Sequence, residues 1–272
     1  MNRGGERAME DAGITPVRAT SRTAGTMVEK IRANGLVVTE VHNAGGCVLA
    51  EHAHEGATIG ILLAGAVAER RDGLVGVMSA GNVFVRRRGV RHANQYLPQG
   101  SRALFVELER DDPRARALES VDALAWPQLA PAGEAVARAF EEARGEKGEL
   151  FRRVEALVAA AVSLRAPKTP AWLDLARDRL AHEYCRPPSL RALAEDARVH
   201  PVHLAQAFRA RWGLTVGAFV RAHRVFHAVS LIHRGTSLAE AAYASGFADQ
   251  SHMTRVVRAS RGLPPGRLCA AV

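Results

Sequence analysis

Among the residues whose types and spacing could do chemistry, three histidines come first. His52 and His54 are one residue apart, and in a strand that spacing sets both imidazoles on one face. Joined by His92, they would offer three neutral nitrogen donors, a set suited to zinc, iron, copper or nickel. The same rings could instead hydrogen-bond an organic effector, or simply tie strands together. Glu55 lies beside His54 but on the opposite side of a strand. No Ser-His-Asp or Cys-His arrangement suggests an activated nucleophile, and no G-x-G-x-x-G or phosphate loop is present. Gly4-Gly5 and Gly45-Gly46 are too sparse to cradle phosphate. Cys47, Cys185 and Cys269 are isolated and read as reduced thiols, not as a disulfide framework or zinc knot. No catalytic residue is assigned, and an enzyme is not expected.

The elements that must position these residues change along the chain. Residues 1–27 carry few large apolar side chains and read as a loosely ordered tail. Residues 28–131 hold short apolar runs separated by glycines, such as Cys47-Val48-Leu49, Ile59 to Leu63, Asn82 to Val85 and Ala103 to Val106. That spacing predicts a β-barrel or sandwich. Over 132–166 the period changes to three and four, through Val136, Phe140, Leu150, Val154, Leu157 and Ala161. Two amphipathic helices follow from it. Their stripes could cover the barrel or meet a second copy, and a homodimer contact through Phe151 and Leu157 is one expectation. The prolines around 165–170 suggest a linker. Residues 167–272 read as helix throughout, with Ser189, Ser237 and Asp249 as caps and Gly213, Gly235 and Gly262 as stops. The fold class is therefore α+β and multidomain. His182, His223, His227 and His233 fall on helices and read as surface or packing residues.

The net charge is +9 over 272 residues, and from Lys168 onward 15 basic side chains face 7 acidic ones. Nearly all the excess sits in the helical part, which suits a polyanionic partner. No apolar run is long enough to span a bilayer and no secretory signal is visible, so a cytoplasmic protein without membrane contact is expected.

Short helix, tight turn and longer helix occur twice in that part. One unit runs Ser189-Leu190-x-x-Leu193-Ala194, then Leu204-x-x-x-Phe208-Arg209 and Gly213. The other runs Ser237-Leu238-x-x-Ala241-Ala242, Gly246-Phe247, then Met253-Thr254-Arg255-x-Val257-Arg258 and Gly262. Each leaves a polar face free on its second helix, the pattern of a helix-turn-helix. From Trp172 to Leu268 the sequence resembles the AraC family of transcription regulators. Its most specific element is the run from Gly246 to Arg255, close to that family's GF-x-D-Q-S-x-F-x-R signature; Arg224 in the connecting helix fits as well. His200 stands where a capping Ser is common, and Met253 and Val257 where Phe is common. The resemblance implies that Val202, His203, Ala205, Gln206 and Arg209 of one recognition helix meet double-stranded DNA. It implies the same for Gln250, Ser251, Thr254 and Arg255 of the other. Glutamine can pair with adenine, and arginine with guanine or phosphate. The connecting helix would set the two readers roughly 34 Å apart, one turn of DNA.

The β-rich part resembles the cupin fold over about Gly46 to Tyr96. The match rests on Gly46-x5-His52-x-His54 with Thr58 and Gly65, then Gly81-x5-Arg87-x-Gly89-x2-His92. That resemblance implies that His52, His54 and His92 converge inside a barrel as metal ligands, with Thr58 where metal-binding relatives place a Glu and Arg87 where they place a proline. The joint expectation is a transcription regulator governed by a small-molecule or metal effector. Homodimer partners and RNA polymerase contacts belong to it. A metal-dependent cupin enzyme carrying a basic helical domain is the alternative.

Overall fold

A computed structural model describes residues 15–16, 25–109, 112–119, 121, 129–142, 147–164 and 169–268. Most of the expected tail, and residues 165–168 of the expected linker, lie outside these. The strands are β1 (Thr15–Pro16), β2 (Thr26–Ala33), β3 (Leu36–Asn43), β4 (Val48–His52), β5 (Thr58–Arg71), β6 (Leu74–Ser79), β7 (Val83–Arg86) and β8 (His92–Leu108). All pairings are antiparallel, in the order β1-β2-β3-β8-β5-β6, with β4 on β8 and β7 on β5.

Two long strands organise the barrel. The second half of β8 pairs with β3 and its first half with β4, while β5 runs beside both halves. Likewise β5 pairs first with β7 and then with β6. Each long strand thus changes neighbour partway along one edge and must turn a corner there. The register jumps there from Gly65↔Ser101 to Val67↔Tyr96, a bulge that bends the ribbon. Gly65 has φ +75°, and a Cβ on it would collide with the carbonyl oxygen of Gly100, so only glycine serves at this crossing. The runs Ile59 to Leu63 and Ala103 to Val106, expected as separate short strands, are the first part of β5 and the last part of β8. Asn34-Gly35 and Asp72-Gly73, all with positive φ, close the β2–β3 and β5–β6 hairpins in the manner such pairs favour.

Among the described residues three helices follow: α1 (Pro113–Leu118), α2 (Ala130–Glu142) and α3 (Lys147–Ser163). The apolar stripes of α2 and α3 lie on the outer face of the barrel. Val136, Leu150, Phe151, Val154, Leu157 and Val158 share one core with Leu36, Val38, Ile59, Ile61, Val83 and Leu104. Phe151 is 4% and Leu157 0% exposed, so the expected dimer contact through these two residues is overturned. Their apolar surface is already removed from water within the chain, and none is left for a second copy.

The C-terminal part comprises α4 (Ala171–His182), α5 (Leu190–Ala197), α6 (Pro201–Trp212), α7 (Val216–His233), α8 (Leu238–Ala244), α9 (Gln250–Arg261) and α10 (Pro265–Leu268). Its first core gathers Leu173, Leu180, Leu193, Leu204, Phe208 and Phe219; its second gathers Val225, Val229, Ala241, Phe247, Met253 and Val257. The helix starts are capped as the sequence predicts: Ser189 accepts from the Ala192 N–H, Ser237 forms a capping box with Glu240, and Asp249 accepts from the His252 N–H. His200 does the work of the Ser it replaces, its Nδ1 accepting from the Val202 N–H at 3.3 Å. Met253 and Val257 are fully buried, so they fill the core positions where Phe is common.

Candidate functional site

The barrel encloses a pocket on the face of β3, β5 and β8 that points away from α2 and α3. Period-2 alternation sorts the side chains. Leu36 and Val38 face the helices, while Thr39 and Val41 face the pocket; Val106 faces the helices, and Phe105 and Glu107 the pocket. The free space amounts to about 60 Å³, room for roughly four water molecules.

The structure brings His52, His54 and His92 together there. Their rings are 4.2 Å (His52–His92) and 5.1 Å (the other two pairs) apart, centroid to centroid. One nitrogen from each lies within 4.8 Å of the others, and no carboxylate among the described residues joins the group. Glu55, beside His54, is exposed and takes no part. His52 and His92 each hold Nδ1 against a carbonyl, that of Ala50 at 2.9 Å and that of Val90 at 3.2 Å. A carbonyl only accepts, so Nδ1 carries the proton and Nε2 is left as a lone-pair donor. His92 Nε2 is buried and has no hydrogen-bond partner. Burial, with the nearby Arg86 guanidinium second, lowers the pKa of His92 to about 3 and that of His54 to about 4, so both rings are neutral at physiological pH. This set fits a divalent transition metal.

Behind the histidines lies a buried polar network that the motif reading missed. Glu69 is fully buried. It accepts from Arg86 through both carboxylate oxygens, from Asn94 at 3.0 Å, and has Arg71 at 3.6 Å. Burial works against its charge, but Arg86 and Arg71 overcome that and hold its pKa down at about 2. The signal was present in the sequence: along β5, Val67, Glu69 and Arg71 share the inward phase, and charges on an inward phase require partners. Thr58, 2% exposed, lines the pocket with Oγ1 unpartnered.

The other predicted residues lie on two recognition helices. On α6, Val202, His203, Gln206 and Arg209 are exposed and Ala205 is half-buried; on α9, Gln250, Ser251 and Arg255 are exposed and Thr254 is half-buried. The spacing that buries Leu204 and Phe208, or Met253 and Val257, leaves these faces outward. His203 also lies tilted against Trp172, with ring centroids 5.7 Å apart. Other exposed arginines are neutralised, as Arg179 is by Glu183 and Asp196 and Arg191 by Glu195. Among the described residues no such bridge involves Arg209 or Arg255, and both remain available to phosphate or base.

Barrel and reading helices meet along α7, the helix connecting the two units. Gln95 donates to the Phe226 carbonyl at 2.6 Å and to Ser230 Oγ at 3.0 Å, and accepts from Arg261 Nη2 at 3.3 Å. Ala68, Val75 and Ala93 pack with Phe226. His223, on the same helix, is buried and hydrogen-bonded to the backbone of Gly73; burial pushes its pKa down to about 4. Arg224, also on α7, donates to the carbonyls of Tyr184 and Cys185 at 2.8 and 3.1 Å, tying α7 to the end of α4. Sequence reasoning had no means of finding Gln95 or Arg261, whose partners are more than a hundred positions away.

Among the described residues no helix is long and apolar enough to cross a membrane. No curated protein matches the chain. Among solved structures it is similar to ToxT from Vibrio cholerae, 11% identical, with a TM-score of 0.42 over 88% of this chain and 99% of that one. A ToxT structure with (E)-4-(8-methylnaphthalen-1-yl)but-3-enoic acid bound is 13% identical, with a TM-score of 0.38 over 87% and 98%. Bacillus subtilis oxalate decarboxylase, a protein with Mn(II) centres, is 18% identical, with a TM-score of 0.27 over 28% and 22%. The family model described as "Helix-turn-helix domain" matches residues 193–270, the stretch that holds both recognition helices and the Gly246–Arg255 motif. That C-terminal stretch is a helix-turn-helix domain.

Proposed function

We propose that this protein is a sequence-specific DNA-binding regulator of transcription whose grip on DNA responds to what the barrel pocket holds. Within this reading, His52, His54 and His92 hold a divalent metal that is the effector or anchors it. Once bound, the metal would supply an open coordination position for a further ligand. The observation that carries the reading is the joint on α7: the helix that spaces the two recognition helices is also the helix on which the pocket's strands rest. An effector acts only if it binds one arrangement of the domains better than another, and this joint supplies an element that both sites bias.

Gln206, Arg209, Gln250 and Arg255 would carry base reading, and the remaining basic surface would contact phosphates. The pocket is read as a sensor, not as an active site, and a cytoplasmic location follows from the DNA partner. A homodimer would have to form through a face other than the apolar stripes of α2 and α3, which the barrel covers.

Selection of operators from a random DNA pool, followed by a salt titration of the best sequence with and without zinc, tests this. The expected result is a preferred sequence, a steep fall of affinity with salt, and a zinc-dependent change in affinity. Binding of equal strength to every DNA sequence would overturn it.

A further inference from the structure

The pocket offers a metal ion nothing to balance its charge. Its three ligands are neutral imidazoles, and no carboxylate among the described residues stands with them. The nearest buried carboxylate, Glu69, is taken up by Arg86, Asn94 and Arg71. On the remaining wall Lys30 and Glu107 cancel in formal charge. A divalent ion here would therefore bring two positive charges into a half-enclosed, water-poor space, an arrangement that requires a counter-charge.

A second feature marks where that counter-charge would sit. Thr58 Oγ1 is buried against the pocket with no hydrogen-bond partner, although buried hydroxyls almost always have one. Its position follows from register: on β5 it stands between Arg86 of β7 and Glu107 of β8. A hydroxyl next to an occupied metal site donates its hydrogen to an acceptor. Free space of about 60 Å³ suits an acceptor of roughly four non-hydrogen atoms.

We propose that the pocket takes a small monoanion, of carboxylate type and about the size of acetate, as co-ligand of a metal held by His52, His54 and His92, with the Thr58 hydroxyl donating to it. The inference rests on the three-histidine metal reading above and names the ligand class of that site. The anion supplies the missing charge to the metal and the missing acceptor to Thr58. Neutral isosteres satisfy the hydroxyl but not the charge.

The test uses the full chain loaded with cobalt(II), whose visible absorption reports ligand exchange, titrated with acetate and with acetamide. Acetate is expected to change the spectrum saturably, and acetamide to bind at least tenfold more weakly. Thr58→Val, which keeps the shape and removes the hydroxyl, is expected to weaken acetate tenfold or more while cobalt affinity stays within about twofold. Thr58→Glu is expected to abolish the acetate response and to tighten cobalt, because the chain then carries its own anion. Equal binding of acetate and acetamide, or unchanged acetate binding by Thr58→Val, would overturn the proposal and leave the metal reading standing. Failure of the wild-type protein to bind cobalt would sink both.

Discussion

Asn94 and Gln95 are neighbours on β8 and serve opposite sides of the sheet. Asn94 donates to Glu69 at 3.0 Å on the pocket side, and Gln95 donates to the Phe226 carbonyl of α7 at 2.6 Å on the other. The same alternation holds on β5, where Glu69 joins the network behind the histidines and Ala68 packs against Phe226. A displacement of either strand by a pocket ligand is therefore felt by the connecting helix without an intermediary. Gln95→Ala removes the hydrogen bonds but little of the packing. In this variant metal binding is expected to stay as in the wild type, while the metal-induced change in DNA affinity, of the order of 1–3 kcal/mol for a coupled system, shrinks. Paired metal and DNA titrations on both proteins check this; an undiminished metal effect would show that coupling runs elsewhere.

Metal content gives the most direct check on the pocket. Elemental analysis of protein incubated with zinc, iron, copper or nickel is expected to find near-stoichiometric metal. The variant His52→Ala/His54→Ala/His92→Ala should lose it. Folding of that variant, followed by circular dichroism, should persist, since His52 and His54 are only half-buried. Metal retained at wild-type level in the variant would place the site elsewhere.

For DNA reading, Gln206→Ala and Arg255→Ala are each expected to weaken binding to a selected operator by about 1–3 kcal/mol, and to relax preference at one position. Binding to unrelated DNA should change much less. If neither variant altered operator affinity, the faces assigned to the readers would be wrong.

The two cores of the helical part can be probed separately. Met253 is fully buried in the second core, so Met253→Ala is expected to destabilise the second unit by about 2–5 kcal/mol. Thermal unfolding should show it as a lowered transition. A transition unmoved by the truncation would contradict the packing of α9.

A pH dependence follows from His223. Its pKa lies near 4 in the folded protein, against an ordinary value of about 6.5 in the unfolded chain. Below about pH 6.5 the unfolded state therefore binds a proton that the folded state refuses until about pH 4. Stability falls as pH drops through this window, by at most about 1.4 kcal/mol per pH unit for this group. Urea unfolding at pH 7, 6 and 5 should show a shallower loss for His223→Gln than for the wild type. Identical slopes would assign the acid sensitivity to other groups.

How much of this could be read in advance depended on the range of the interactions. The helix-turn-helix units were readable because their rules are local. A cap such as Asp249, apolar positions such as Met253 and Val257, and a stop such as Gly262 all lie within a few turns of one another. The histidine cluster was readable because His52 and His54 are close in sequence, although β4 ends at His52 and His54 lies just beyond it. His92 pairs directly with His52 across β4 and β8. The long strands were not. Pro98 and Gly100 look like a break in the sequence, yet β8 continues past them, because β5 bulges at the same corner and keeps the pairing on either side. The stripe on α3 announced only that Phe151 and Leu157 would be covered. Periodicity says that a face is buried, and it is silent on what buries it.

The barrel touches both reading units, with Leu74 packed on the first core and Val48 on the second. It therefore bridges the connecting helix like a splint, and the angular phase between the two readers is set by three bodies instead of one hinge. Such a molecule has little freedom to follow DNA whose half-sites have been moved apart. Inserting one base pair rotates the second half-site by roughly 35° about the duplex axis, and the splint would resist that rotation. Loosening the splint would widen the range of half-site spacings the protein accepts, so the same effector could alter which promoters are recognised as well as how tightly.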